Sequence, residues 1–409
     1  MNHPIKARFG FVFHSSRMKI LFLNLRFPYP PHRGDRIRAY HFIKQLARRH
    51  SVTIVSFFES DQEEAYVKHL RSFCDRVESV RFHHGRARLN ALLHCLSNSP
   101  LQVYYWFVPQ MQRAINRLLD QHSYDLIHAQ LFRMGQYVAH VKGVPKMLDL
   151  CDSFGLNLSR RAVLDKNFIR TLVKLEAKRV RHYEVEIMKS FDWGTVAATI
   201  DRDYLLKQDD SLKLSVVPMG VDLEHFQPSS IEYRPHILFT GTMSYFPNWD
   251  AVLYFHTEIF PLVQEKHPET VFYVVGSDPP NQVRKLGNHK NVVVTGYVQD
   301  TRPYFDDTAV FVSPMRSGSG FQVKNLEAMA MRVPVVTSSL CASGLDGRVG
   351  KDYLVGDSPE VIAKHINELI ESPDYRKAIG TAGRHLVEEK YSWDVLVNQL
   401  EDVYSEICR

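Results

Sequence analysis

Short, unbroken apolar runs and stretches of helical spacing alternate along this chain, and the pattern starts twice. Met18–Asn24 (MKILFLN) reads as a buried strand, followed by the Pro-rich loop FPYPPHRGD and a helical stretch from Arg36 to Arg49. Ser51–Phe57 (SVTIVSF), Tyr124–His128 and Pro145–Asp152 are further strands, and residues 161–190 form a long helical stretch. Strand, loop, helix, strand opens a doubly wound parallel sheet, whose strands are apolar throughout because helices cover both faces. The pattern restarts at His236–Thr242 (HILFTGT), with strands at Val271–Gly276, Asn291–Val298 and Ala309–Ser313. Helices over 359–371 and 373–390 cover this second sheet, and Tyr391-Ser392-Trp393 opens a last helix to Arg409.

Residues 309–344 carry the most specific chemistry. After the strand Ala309–Ser313 comes a loop with Gly318 and Gly320, then helical spacing at Val323, Leu326, Met329 and Ala330, then a strand run Val333–Thr337. This is one parallel βαβ unit, and ligands of such sheets sit outside the carboxyl ends of the strands. Glycines let backbone N–H groups approach an anion, and the helix start adds partial positive charge. Lys324 and Glu327, three apart, share one helix face. A lysine there neutralises phosphate, and a carboxylate one turn on accepts hydrogen bonds from ribose hydroxyls. On spacing alone the two read first as an ordinary surface ion pair, with the glycines only shaping a turn.

Taken whole, this stretch resembles the donor-binding segment of retaining GT-B glycosyltransferases (glycosyltransferase family four), where a glycine loop leads into a helix reading L-E-A-M-A and a P-V-V strand. The subset pattern G-x-G-x-x-x-K-x-L-E-A-M-A is matched by Gly318, Gly320, Lys324, Leu326, Glu327, Ala328, Met329 and Ala330. Within that subset the chain is similar to sugar transferases associated with bacterial exopolysaccharide export clusters. Ser215–Pro228 resembles the family's interdomain segment, P-x-G-V-D-x-x-x-F-x-P, at Pro218, Gly220, Val221, Asp222, Phe226 and Pro228. The resemblance implies an α/β fold of GT-B type, two Rossmann-like doubly wound domains facing a central cleft. It divides the chain into a tail (1–17), an N-terminal acceptor domain (18–217), a linker (218–230), a C-terminal nucleotide-sugar domain (231–391) and a helix crossing back to the first domain (392–409).

The resemblance also implies site residues. Gly34 stands where the family has a glycine loop facing the donor phosphates and the acceptor, although by spacing alone it equally shapes a tight turn. Gly241 and Thr242 end the first strand of the second sheet. Thr242 and Asn248 stand where many members place an Arg and a Lys on the diphosphate, which leaves that task to Lys324 with help from Arg316. Gly296, Tyr297 and Val298 resemble the turn whose backbone reads the base, and Gly318, Ser319, Gly320 and Phe321 surround the donor. Ser319 replaces a Glu that in many members contacts the transferred sugar. The strand end at which many members carry a His reads Asp149, Cys151, Asp152 here. Asp152 is the candidate to orient the acceptor or sugar hydroxyl and is equally a helix N-cap or turn carboxylate. His128 is the lesser candidate. Asp152, Lys324 and Glu327 form the expected catalytic set.

Length changes the picture only by requiring two domains, since 409 residues exceed one core. Hydrophobic residues at 44% and charged at 23% are those of a soluble globular protein, and no apolar run reaches the roughly 20 residues that span a bilayer. The first 17 residues lack a signal-peptide cleavage site and read as a tail. Five dispersed cysteines without ligand spacing fit a reducing cytoplasm, and neither a metal nor a cofactor is expected. Charge is informative. Residues 1–217 hold 34 Lys and Arg against 20 Asp and Glu, a net +14, while 218–409 hold 17 against 25, a net −8. Such a split points to an anionic partner for the first half. No helix-turn-helix, zinc or aromatic RNA-platform pattern accompanies it, which excludes nucleic acid and favours a membrane surface.

Residues 86–108 fit that surface. Leu89, Leu92, Leu93 and Leu96 make one helical stripe with Arg86 and Arg88 at its start, followed by Tyr104, Tyr105, Trp106 and Phe107. A helix and strand packed in the first core is the competing reading. Lys166, Arg170, Lys174, Lys178, Arg179 and Arg181 lay further basic charge along the long helix. The expected function is transfer of a sugar from a nucleotide diphosphate sugar to a saccharide or polyprenyl-linked acceptor in exopolysaccharide or surface polysaccharide synthesis, by a cytoplasmic protein peripheral at the inner membrane. The competitors are a nucleotide-sugar 2-epimerase of the same fold and a non-catalytic binding scaffold.

Overall fold

Ile20, Leu21, Phe22 and Leu23 are all fully buried, so both faces of their strand are covered, as a parallel sheet flanked by helices requires. The computed structural model describes residues 17–32, 34–164, 167–228, 234–318 and 321–409. Strands β1 (Lys19–Asn24), β2 (Ser51–Phe58), β3 (Arg76–Arg81), β4 (Leu126–Gln130), β5 (Lys146–Cys151), β6 (Trp193–Val196) and β7 (Leu214–Val216) form one sheet. Its order is β3-β2-β1-β4-β5-β6-β7, parallel throughout. Strands β8 (His236–Thr240), β9 (Val271–Val275), β10 (Val292–Gly296), β11 (Val310–Ser313), β12 (Val335–Thr337) and β13 (Leu354–Val355) form a second. Its order is β10-β9-β8-β11-β12-β13, also parallel. Each sheet reverses its strand order once, between β1 and β4 and between β8 and β11. Such a reversal opens a ligand crevice at the carboxyl ends.

The apolar runs become strands with their ends trimmed by a residue or two. Edge strands β3 and β13 lack such a run, because an edge needs less apolar cover; β3 reads RVESVR and is mostly half-exposed. The long helical stretch is two helices, Phe154–Leu164 and Asn167–Met188, folded against each other. Lys166 lies outside the described residues, as do residues 1–16 of the expected tail and the end of the expected linker.

Two apolar cores lie on outer faces of the sheets, and a third runs between the units. The third joins Phe42 and Leu46 of helix Gly34–Leu46, Leu326 and Val387 of the second unit, and Trp393, Leu396, Leu400 and Tyr404 of the last helix, Trp393–Ile407. Trp393 stacks on His41 at 4.8 Å, and Glu401 accepts from Arg49 Nη1 at 2.5 Å. Gly220 is obligatory there, since a Cβ would lie 2.8 Å from both Leu396 and Trp393.

Asp149 of the strand end and the lesser candidate His128 are both used by this framework. Arg38, fully buried, forks onto Asp149 at 2.7 and 3.0 Å and donates to the carbonyls of Val217 and Pro218 at 2.9 Å each. Asp149 is therefore not free for a substrate. His128 is wholly buried, stacks on Phe22 at 4.0 Å and shares a 2.5 Å hydrogen bond with Tyr404 Oη. Burial pushes its imidazole down to about 3. His128 ties the last helix to the first sheet.

Candidate functional site

The carboxyl ends of the two sheets face each other across a cleft of about 750 Å³. On the second unit, β8 is followed at once by Gly241 and β9 by Gly276. A Cβ on Gly276 would fall 1.8 Å from the Gly241 carbonyl oxygen, so this floor closes only with glycine. A Cβ on Gly241 would lie 3.0 Å from Lys324 Nζ. The missing side chain makes room for the ammonium.

Helix Val323–Ala330 points its start at the cleft, and no side chain caps it. Lys324, in its first turn, donates from Nζ to Asn248 Oδ1 at 2.6 Å and lies 4.2 Å from the centre of the Phe239 ring. Asn248 is fixed in turn by donating to the Thr242 carbonyl at 2.9 Å. One turn on, Glu327 also lines the cleft, and among the described residues its carboxylate has no hydrogen-bond partner. Lys324 bonds Asn248 rather than Glu327, so the surface ion pair does not form. Burial pushes Glu327 up to about 7 and Lys324 down to about 8, each opposed by the other's charge.

On the facing wall, Cys151 takes φ +61° at the end of β5 and turns Asp152 into the cleft. Asp152 does not cap the following helix. Ser153 Oγ accepts from Leu156 N at 3.2 Å, and Glu184 accepts from the N–H groups of Phe154 and Gly155 at 2.7 and 3.2 Å. Asp152 keeps its carboxyl unbonded among the described residues; burial raises its pKa, with Arg38 opposing. Gly34 lines the same wall at the start of helix Gly34–Leu46, whose Asp35 is held by Arg26 at 2.6 Å.

Other expected residues are placed unevenly. Thr242, Val298 and Phe321 line the cleft, and Tyr297 stands exposed at its lip. Gly296 lies one step behind, in the left-handed region at φ +71°, its carbonyl accepting from Gly276 N at 3.1 Å. Gly318, at φ +106°, accepts from Arg160 Nη1 of the other unit at 3.4 Å. Ser319 and Gly320 lie outside the described residues. Arg316 is not brought to the cleft: it forks onto Asp250 at 2.6 and 3.1 Å and stacks on Tyr254 at 4.6 Å. Among the described residues no group of three His, Cys, Asp or Glu side chains is set to hold a metal.

Residues 234–372 match the family described as glycosyl transferases group 1. This stretch is similar to a glycosyltransferase group 1 domain. The matched stretch contains Lys324, Glu327, Asn248 and the glycine floor. Over 388 residues the chain is 20% identical to an uncharacterized 44.6 kDa protein in the cps region of Klebsiella pneumoniae, covering 91% of this chain and 96% of that protein. It is 23% identical over 287 residues to the UDP-Gal:alpha-D-GlcNAc-diphosphoundecaprenol alpha-1,3-galactosyltransferase of Escherichia coli, covering 61% and 71%. Anabaena Alr3699/HepE in complex with UDP has the same GT-B fold, with a TM-score of 0.68 at 13% identity over 95% of this chain and 100% of that one.

Arg38, Arg133 and Arg160 are site-region residues that the sequence patterns did not single out. Arg133 alone carried a usable signal, three residues past the end of an apolar strand, where crevice residues sit. The leucine stripe is the other outcome. Leu89, Leu92, Leu93 and Leu96 are all more than half exposed, Leu96 at 93%, with Arg86 and Arg88 exposed beside them. Leu172 and Leu175 of helix Asn167–Met188 are exposed too, and Arg179 of that helix donates to the Cys95 carbonyl at 3.1 Å. The neighbouring aromatics instead pack: Trp106 is buried against Phe82 at 4.2 Å, and only Phe107 is exposed. Among the described residues no helix is long and apolar enough to cross a membrane.

Proposed function

We propose that the protein transfers a glycosyl unit from a nucleotide diphosphate sugar to a hydroxyl of a saccharide or polyprenyl-linked acceptor, with retention of configuration, in surface polysaccharide synthesis. In this reading residues 231–391 hold the nucleotide sugar, 18–217 the acceptor, and 218–230 link them. The observation that carries it is the opposition of Lys324 and Glu327 to Asp152 across one cleft. Lys324 and the uncapped helix start take the diphosphate, and Glu327 accepts from the ribose hydroxyls. During transfer the acceptor oxygen bonds to the anomeric carbon as the bond to the diphosphate oxygen breaks, through an oxocarbenium-like state, and the hydroxyl proton passes to the departing diphosphate oxygen. Negative charge grows on the diphosphate, where Lys324 meets it. Asp152 accepts from and orients the attacking or sugar hydroxyl.

The protein's place is the anionic membrane surface, met by the exposed leucines and their flanking arginines. Support for the acceptor comes from the Escherichia coli relative, named for a diphosphoundecaprenol acceptor. Incubation with labelled nucleotide sugars and a lipid extract tests the proposal. Label in lipid or saccharide is the expected result; a 2-epimerised nucleotide sugar, or binding without turnover, rejects it.

A further inference from the structure

Resting on the transfer reading above, we propose that Arg133 and the cleft wall around it bind a phosphate oxyanion of a polyprenyl-diphosphate-linked acceptor. Leu131 takes φ +68° just past β4 and turns the chain so that Arg133 lines the cleft. The guanidinium is nine-tenths buried and lies against both Phe132 and Phe154, 5.1 and 5.2 Å from their ring centres. Among the described residues no carboxylate pairs with it. Its Nη1 donates to the neutral Gln102 Oε1, and its Nε has no partner. Arg26 lines the same wall but is taken up by Asp35. Asp35 and Glu184 act on Arg133 only from a distance; burying a guanidinium without a directly paired carboxylate is costly, and a planar donor fork of this kind is suited to phosphate. Burial and the charge of Arg26 push Arg133 down to about 10.

Lys324 serves the opposite wall, so a second anion site in one cleft belongs to the second substrate. Its surroundings identify the class. Gln102 sits on helix Leu101–Tyr105, which is bound to helix His84–Leu93 by Asn90 Nδ2 donating to the Tyr104 carbonyl at 2.6 Å. Leu89, Leu92 and Leu93 of that second helix are the exposed apolar face. One short helix therefore joins an unpaired buried cation to an apolar surface, as a charged head on an apolar tail needs.

The test is calorimetric titration of the full chain, saturated with UDP, using farnesyl diphosphate, farnesol and inorganic pyrophosphate. Farnesyl diphosphate is expected to bind, and Arg133→Gln to weaken it about ten- to a hundredfold with UDP affinity unchanged. Arg133→Lys should retain part of the affinity. Thermal melting of the unmutated protein gives a measure independent of how the variants fold: farnesyl diphosphate raises Tm and farnesol does not. Unchanged affinity in a folded Arg133→Gln, or no stabilisation by the diphosphate, overturns the site. Pyrophosphate binding as tightly as farnesyl diphosphate overturns the lipid-linked acceptor. Failure of UDP to bind overturns the donor site instead, and the same titrations without nucleotide still decide the role of Arg133.

Discussion

Asn248 Oδ1 accepts the Lys324 ammonium at 2.6 Å, at a position where many members of the resembled family place a cation. The asparagine adds no charge. It sets the direction of the one lysine at the helix start, together with the Phe239 ring beneath it.

Replacing Asn248 by alanine should therefore act through Lys324. Loss of one hydrogen bond to a charged group costs about 1.5–3 kcal/mol, so nucleoside diphosphate affinity should fall about tenfold or more, with nucleoside affinity unchanged. Equal loss for both ligands in calorimetry would mean that Asn248 shapes the whole cleft instead.

Glu327→Ala should weaken the nucleoside and the nucleoside diphosphate alike, by about ten- to a hundredfold, because the ribose is common to both. Lys324→Ala should spare the nucleoside and weaken the diphosphate. Wild-type affinity in a folded Glu327→Ala protein ends the donor-site assignment.

Donor binding requires Glu327 ionised and Lys324 protonated, and burial brings these titrations to about 7 and about 8. Affinity should rise as pH climbs through about 7 and fall beyond about 8. Glu327→Gln should remove the acid limb and Lys324→Ala the alkaline one. Stability follows its own sign. The folded pKa of Glu327 lies above the ordinary glutamate value of 4.5, so its contribution is complete below that value and is lost as pH rises through about 7. A flat binding profile from pH 6 to 9 rejects the pair as ligands.

Arg38 and Asp149 are fully buried and paired, so removing either alone strands a charge. Arg38→Met should cost roughly 3–5 kcal/mol of stability in denaturant unfolding. Adding Asp149→Leu should recover much of it. A double variant no better than the single one shows that the Val217 and Pro218 carbonyls, not the charge pair, set the cost.

Anionic liposomes should bind the protein less as salt rises, since each basic side chain near the surface contributes about 1 kcal/mol and is screened. Leu92→Glu combined with Leu96→Glu should weaken sedimentation with liposomes at every salt concentration. Equal binding to neutral and anionic vesicles at low salt removes the electrostatic part.

Much of this protein is set by its sequence alone. Unbroken runs such as Ile20–Leu23 and Val310–Val312 can only be strands covered on both faces, which dictates two doubly wound sheets. The three-residue spacing of Lys324 and Glu327 at the start of a helix likewise places both at a strand's carboxyl end. What spacing leaves open is which polar groups the fold itself uses. Asp149 and Asp152 are three apart on one strand end, yet Arg38, 111 residues from Asp149, captures the first and leaves the second facing the cleft. His128 is taken into the core by Tyr404, 276 residues away, and Arg316 is drawn off by Asp250. Arg133 becomes notable only because packing buries it without a carboxylate. Local pattern fixes backbone geometry through short-range sterics and apolar burial. Which charges remain for a ligand depends on partners that only the tertiary structure brings within hydrogen-bond distance.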